Sequence, residues 1–132
     1  VRDVNKIFHL AVPCADLDAT ADFYEKLGCR IARRYEDRVT LDFFGDQVVC
    51  HLSPDEIDEK PKMYPRHYGI TFLNKEEFDR CLEAAQEQEL PFFQTPMVRF
   101  KGKQEEHITF FLIDPSNNLL EFKYYHDAEM AY

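Results

Sequence analysis

Four side chains with related chemistry stand at matching places in this sequence. His9 interrupts the apolar run "KIFHLAVP", His67 lies in "RHYGITFLN", His51 in "VVCHLS" and Glu121 in "NLLEFKYY". Imidazole nitrogens and carboxylate oxygens hold divalent cations and move protons near neutral pH, so such residues point to metal-centred or acid–base chemistry. A lone histidine in an apolar strand is more often a satisfied core or rim residue. What gives these four weight is how the elements carrying them repeat.

"KIFHLAVP" is a short apolar run closed by Pro13 and reads as a strand. "ADLDATADFYEKLG" spaces Leu17, Ala21, Tyr24 and Leu27 as a helix does, with Asp16 as N-cap and Gly28 as the stop. Three strands follow in "CRIARRYE", "RVTLDFF" and "QVVCHLS", joined by tight breaks. The charged segment "SPDEIDEKPKMYP" contains three prolines and no periodicity, so it reads as a linker.

The pattern then begins again. "RHYGITFLN" predicts a strand and "NKEEFDRCLEAAQEQEL" an amphipathic helix, with Phe78, Leu82 and Ala85 on one face and Asn74 and Glu77 at capping-box spacing. "PFFQTPMVRF", "HITFFLID" and "NLLEFKYY" complete three more strands, the last two joined by the turn Asp114-Pro115-Ser116-Asn117-Asn118. Each half reads strand, helix, strand, strand, strand. The boundaries are residues 1–53 for module one, 54–65 for the linker and 66–132 for module two. His9 and His67 occupy the first strand of each module, and His51 and Glu121 the fourth. Strand side chains alternate in direction, and the alternation allows His9, His67 and Glu121 to face away from the helices.

Length and composition bound the class. A chain of 132 residues, 45% hydrophobic with 12 Phe and 7 Tyr, suits one core-forming domain of paired modules. A net charge of −9 argues against nucleic acid as partner. No apolar run reaches the roughly 18–20 residues of a membrane helix, so no membrane association is expected. Cys14, Cys29, Cys50 and Cys81 form no C-x-x-C pair and read as reduced thiols. Together with the charged start "VRDVNKIFHL", which has no signal-peptide core, they predict a cytoplasmic protein.

The paired modules, "HLAVPCADLDATADFYEKLGC" and "DPSNNLLEF" together resemble the vicinal oxygen chelate superfamily, which includes glyoxalase I, extradiol dioxygenases and fosfomycin- and bleomycin-resistance proteins. The resemblance spans essentially the whole chain. "DPSNNLLEF" is similar to the family's D-P-x-G-N-x-x-E-F turn and strand, with Asn117 in place of glycine; asparagine tolerates the left-handed conformation such a turn needs. The fold implied is α+β: two βαβββ modules in a curved, partly open mixed β-barrel with helices outside. A homodimer is also implied, and the linker is long enough for modules to exchange between chains.

By the same resemblance, His9, His67 and Glu121 match two histidines and a carboxylate on a divalent metal. Fe(II) is favoured over Mn, Ni, Zn or Co. Such a facial set leaves up to three positions for a chelating substrate with vicinal oxygens. Three readings compete for His51: fourth ligand, acid–base group beside the metal, or rim residue. Arg99 and Lys101 in "MVRFKGK" are candidates for binding a substrate anion, against a solvated strand end. Tyr68, Phe43, Phe111 and Tyr124 line either a pocket or the core. His107 either moves protons or, after the charged "KQEE", lies exposed; His126 is expected in solvent.

Three functions follow from the resemblance. The leading one is a metal-dependent enzyme on a small oxygen-rich substrate, leaning to an extradiol-type dioxygenase. The second is a glyoxalase-like isomerase or lyase with a non-redox metal. The third is a metal-free protein that sequesters a small molecule.

Overall fold

The computed structural model describes residues 2–132; Val1, the first residue of module one as read from the sequence, lies outside the described residues. The chain forms two compact units. One takes the chain as far as Glu59 together with Pro115–Asn117, and the other takes Lys60–Asp114 and Asn118–Tyr132.

In unit one, β1 (His9–Cys14) leads into α1 (Leu17–Leu27), then β2 (Arg30–Arg34), β3 (Arg38–Phe43) and β4 (Asp46–Leu52). The strands make one mixed sheet in the order β1-β4-β3-β2, with β1 parallel to β4 and the other pairs antiparallel. The predicted caps of α1 are both made. Asp16 accepts the Ala19 N–H at 2.9 Å, and Gly28 closes the helix at φ 108°, a left-handed conformation that costs a residue without a Cβ little. Tyr24 and Leu27 on the inner face of α1 are buried with Val39, Leu41, Phe43, Val48 and Cys50 of the sheet.

Unit two repeats this plan. It contains β5 (Tyr68–Phe72), α2 (Lys75–Glu87), β6 (Phe92–Arg99), β7 (His107–Ile113) and β8 (Leu119–Tyr125), in sheet order β5-β8-β7-β6. The strand β5 begins one residue after His67. Asn74 caps α2 by accepting the Glu77 N–H at 3.1 Å, but the reciprocal half of the capping box is not made. The Glu77 carboxylate instead accepts from Arg80 at 2.7 Å, one turn along the exposed face. Phe78, Phe110 and Phe122 are fully buried and pack edge-on or stacked at centroid distances of 5.3–5.5 Å. The turn before β8 forms as predicted, with Asn117 at φ 62° and both Asn118 nitrogens bound to the buried Asp114 carboxylate at 2.9 Å. The α+β, two-module fold is therefore the one the sequence predicts.

The ladders fix how the two units correspond. His9 stands opposite Gln47, while Tyr68 stands opposite Leu120, which puts His67 level with Leu119. The counterpart of Glu121 in unit one is thus Val49, and His51 corresponds to Lys123. The sequence placement of His51 beside Glu121 is two residues out of register.

One backbone contact in unit two admits no side chain. Gly69 pairs with Glu121 across β5 and β8, and a Cβ at residue 69 would lie 1.7 Å from the Glu121 carbonyl oxygen. Backbone cannot swing aside as a flexible side chain can. Gly69→Ala should therefore destabilise the protein by about 3 kcal/mol, the upper end of overpacking costs, read as a lower urea midpoint. An unchanged midpoint would show that β5 does not need this approach.

Candidate functional site

Glu121 is buried to 8% exposure in β8, where an ionised carboxylate needs partners for both oxygens. Its Oε2 accepts the Thr109 hydroxyl at 2.7 Å from the neighbouring strand β7. Its Oε1 lies 3.2 Å from His67 Nε2 and 3.8 Å from Lys123 Nζ. Lys123 shares the Glu121 face because it is two residues along the strand.

His67 is held from its other side. Its Nδ1 lies 2.5 Å from the Met63 carbonyl oxygen, a group that only accepts, so Nδ1 carries the hydrogen. In the neutral ring, Nε2 then presents a lone pair toward Glu121 Oε1. Two acceptors 3.2 Å apart repel unless a proton or a cation lies between them. Adjacent ligands at about 2.1 Å from an octahedral ion stand roughly 3 Å apart, so the spacing fits a shared divalent cation. The hydrogen bond at Nδ1 is the kind that orients a metal-binding histidine. Rings of Phe111 and Tyr64 pack edge-on against the imidazole at 5.3 and 5.7 Å and limit its rotation.

His9 belongs to unit one, at the exposed start of β1. Its Nδ1 lies 2.6 Å from Gln47 Oε1, so this histidine too has one nitrogen engaged and Nε2 left as a ligand atom. The structure brings His67 and Glu121 together. It forms no group of three His, Cys, Asp or Glu side chains poised for a metal among the described residues.

The remaining candidates separate clearly. His51 is exposed at the end of β4, opposite Arg38 in the ladder. Arg99 ends β6 and donates to the Tyr64 hydroxyl at 2.6 Å, so it reaches the His67 surroundings through that ring. Lys101 lies in the exposed turn after β6. The expected exposure of His107 is overturned: it is 7% exposed, its Nδ1 donates to the Glu105 carbonyl at 2.9 Å, and its ring packs on Tyr125. The charged residues before it form a turn, while His107 itself is the first inward residue of β7. His126 is half exposed, as expected, and pairs with Glu106 at 3.1 Å. Phe43 and Phe111 are buried, and Tyr68 and Tyr124 half-buried.

Thr109 and the Met63 carbonyl were not legible as site groups. The one signal for Thr109 was a hydroxyl within the apolar strand "HITFFLI". All four cysteines are buried and none forms a disulfide among the described residues, and burial pushes the Cys81 thiol up to about 12, so it stays protonated and is no nucleophile. Among the described residues no helix is long and apolar enough to cross a membrane.

The family model described as Glyoxalase/Bleomycin resistance protein/Dioxygenase superfamily matches residues 6–122. A crystal structure of a glyoxalase/bleomycin resistance protein/dioxygenase from Alicyclobacillus acidocaldarius is 59% identical, with both chains covered completely and a TM-score of 0.96. The fosfomycin resistance protein FosX of Listeria monocytogenes shares the fold at 16% identity and a TM-score of 0.72, covering 97% of this chain and 99% of its own. Among curated proteins, the glyoxalase domain-containing protein RDO1 of Mycosarcoma maydis is 27% identical over 127 residues, 96% of this chain and 72% of that protein.

Thr109→Val keeps the shape of the side chain and removes the donor to Glu121 Oε2. The buried carboxylate oxygen left without it should lower stability by about 1–3 kcal/mol, measured by urea denaturation near neutral pH. An unaffected midpoint would mean that Glu121 does not depend on this bond.

Proposed function

The chain belongs to the Glyoxalase/Bleomycin resistance protein/Dioxygenase superfamily, and from that premise we propose that it is a metal-dependent enzyme acting on a small oxygen-rich molecule with neighbouring oxygens. His9, His67 and Glu121 are the proposed ligands of one divalent cation. The observation that carries this reading is the facing pair of acceptors, His67 Nε2 and Glu121 Oε1, 3.2 Å apart with the other imidazole nitrogen already engaged.

When bound, a divalent metal would polarise the substrate oxygens and stabilise negative charge developing on them. The chain's own residues prepare that place. The Met63 carbonyl holds His67 in the tautomer that leaves Nε2 free, and the Thr109 hydroxyl fixes the Glu121 carboxylate. Phe111 and Tyr64 wall the imidazole with apolar ring edges, which shields it from water. Lys123 places positive charge beside Glu121, where an anionic substrate oxygen would find it.

Within this class the reading leans to an Fe(II)-dependent extradiol-type dioxygenase. Val49 supports it, because the unit-one counterpart of Glu121 carries no donor atom and the ligand set stops at three. Three protein ligands leave room for both a chelating substrate and O₂. A glyoxalase-like isomerase or lyase and a metal-free sequestering protein are the outcomes to test against.

Protein purified from cells should contain about one divalent ion per chain, and His67→Ala should remove it. Unchanged metal content in that variant would sink the ligand assignment, and tight ligand binding without metal would favour sequestration. Loaded anaerobically with Fe(II), the protein should consume oxygen when a catechol is added. Equal turnover with Ni(II) or Zn(II) and no oxygen uptake would favour the isomerase. The proposed assembly is a homodimer. If ligands are shared across it, mixing His9→Ala and His67→Ala proteins should restore part of the metal content.

A further inference from the structure

The strand β2 departs from simple alternation, and the departure decides which of its arginines share a face. Its pairing with β3 runs Arg30 to Asp42, Ile31 to Leu41, then Arg33 to Thr40 and Arg34 to Val39, so Ala32 is an extra residue in the ladder. Such a bulge re-aims the side chains beyond it. Without it, Arg30, Ala32 and Arg34 would share one face. With it, Arg30 and Arg33 face the same way, while Ile31 and Arg34 turn to the helix side, where Arg34 pairs with Asp18 of α1.

The face that receives Arg30 and Arg33 is the one carrying His9. A single row of ladder partners crosses the sheet from His9 to Gln47, Asp42 and Arg30. Arg30, Arg33, Thr40, Asp42, Asp46 and Gln47 are among the residues lining a cavity of about 250 Å³ on this face. Asp42 is paired to Arg30 through one nitrogen at 3.3 Å, which leaves most of that guanidinium's donors free. Arg33 makes no ion pair among the described residues; its Nη1 donates to the Tyr35 hydroxyl at 3.2 Å. The cavity holds two guanidiniums and two carboxylates; Asp42 is paired with Arg30 and Asp46 with Arg2, which leaves Arg33 as its one guanidinium outside an ion pair among the described residues.

We propose that Arg30 and Arg33 form an anion subsite on unit one that binds a carboxylate of the substrate. The fork of Arg33 takes the two carboxylate oxygens and Arg30 adds a further donor, with Thr40 and Gln47 available to neighbouring hydroxyl or carbonyl groups. Four adjacent strands put the backbones of His9 and Arg30 roughly 14 Å apart. The substrate class is then a small carboxylic acid that also carries oxygens at some distance from its anionic end. This deepens the metal-enzyme reading and rests on it only for what happens at the oxygen-bearing end; the subsite itself needs no metal.

Its test therefore uses chelator-treated, metal-free protein. Malonate should bind, measured calorimetrically at low salt, and the uncharged malonamide should not. Arg33→Gln should weaken malonate binding at least about tenfold, the loss expected for a hydrogen-bonded charge. Arg33→Lys should recover only part of the affinity, since an ammonium keeps the charge without the fork. Arg34→Gln, on the opposite face, should leave binding unchanged. Equal binding of malonate and malonamide, no binding of malonate, or full affinity in Arg33→Gln would each overturn the subsite. All of these results are independent of whether His67 holds a metal.

Discussion

The backbone approach of Gly69 to Glu121 is the constraint on which the rest of unit two depends. Strands β5 and β8 lie parallel, and a parallel pair has no hairpin to set its register. The register comes instead from side chains that must fit, and at residue 69 nothing larger than hydrogen does. That fixes His67, two residues before Gly69, beside the face on which the Glu121 carboxylate emerges. The same contact places Glu121 deep enough to need Thr109 and Lys123 as partners. A buried carboxylate, an oriented imidazole and a glycine are thus consequences of one packing decision.

The two units share a plan and differ in chemistry. Where unit two has Glu121, unit one has Val49, and where unit two has Lys123, unit one has His51. The aromatic core of unit two, with Phe78, Phe110 and Phe122 packed together, gives its sheet a stiff support for a buried charge. Unit one buries Val39, Leu41, Val48 and Cys50 under α1 and leaves the other face of its edge strand polar. Duplication of a fold relaxes the demand that each copy do everything. One copy can keep a satisfied carboxylate while the other varies its exposed face.

Most of the fold was legible because its signals are local. Asp16, Gly28 and Asn117 each act within a turn of their own position, and the structure uses each as the sequence implies. The parts that were not legible depend on register. Placing His51 as the partner of Glu121 required counting along strands whose ends are blurred, and an error of two residues keeps the same face while moving the side chain along it. The exposure expected of His107 came from averaging over the charged residues before it, whereas burial is decided residue by residue on the strand. The bulge at Ala32 left no trace in "CRIARRYE", since alternation and a single extra residue look alike in a short arginine-rich run.

The His67–Glu121 pair carries the clearest chemical consequence of this register dependence. Composition offers five histidines and 25 acidic residues, from which many pairs could be drawn. A pair gains meaning only when its remaining hydrogen-bonding positions are already engaged. Glu121 has one oxygen committed to Thr109 and the other 3.8 Å from Lys123, and His67 has one nitrogen committed to Met63, so Glu121 Oε1 and His67 Nε2 face each other at 3.2 Å. His126 and Glu106 stand equally close, but His126 is half exposed and water can meet its needs. Distance alone does not distinguish the two pairs. What does is burial and prior commitment: His67 Nε2 and Glu121 Oε1 are left to satisfy each other, and the contact between them needs a proton or a cation, whereas water can serve His126 and Glu106.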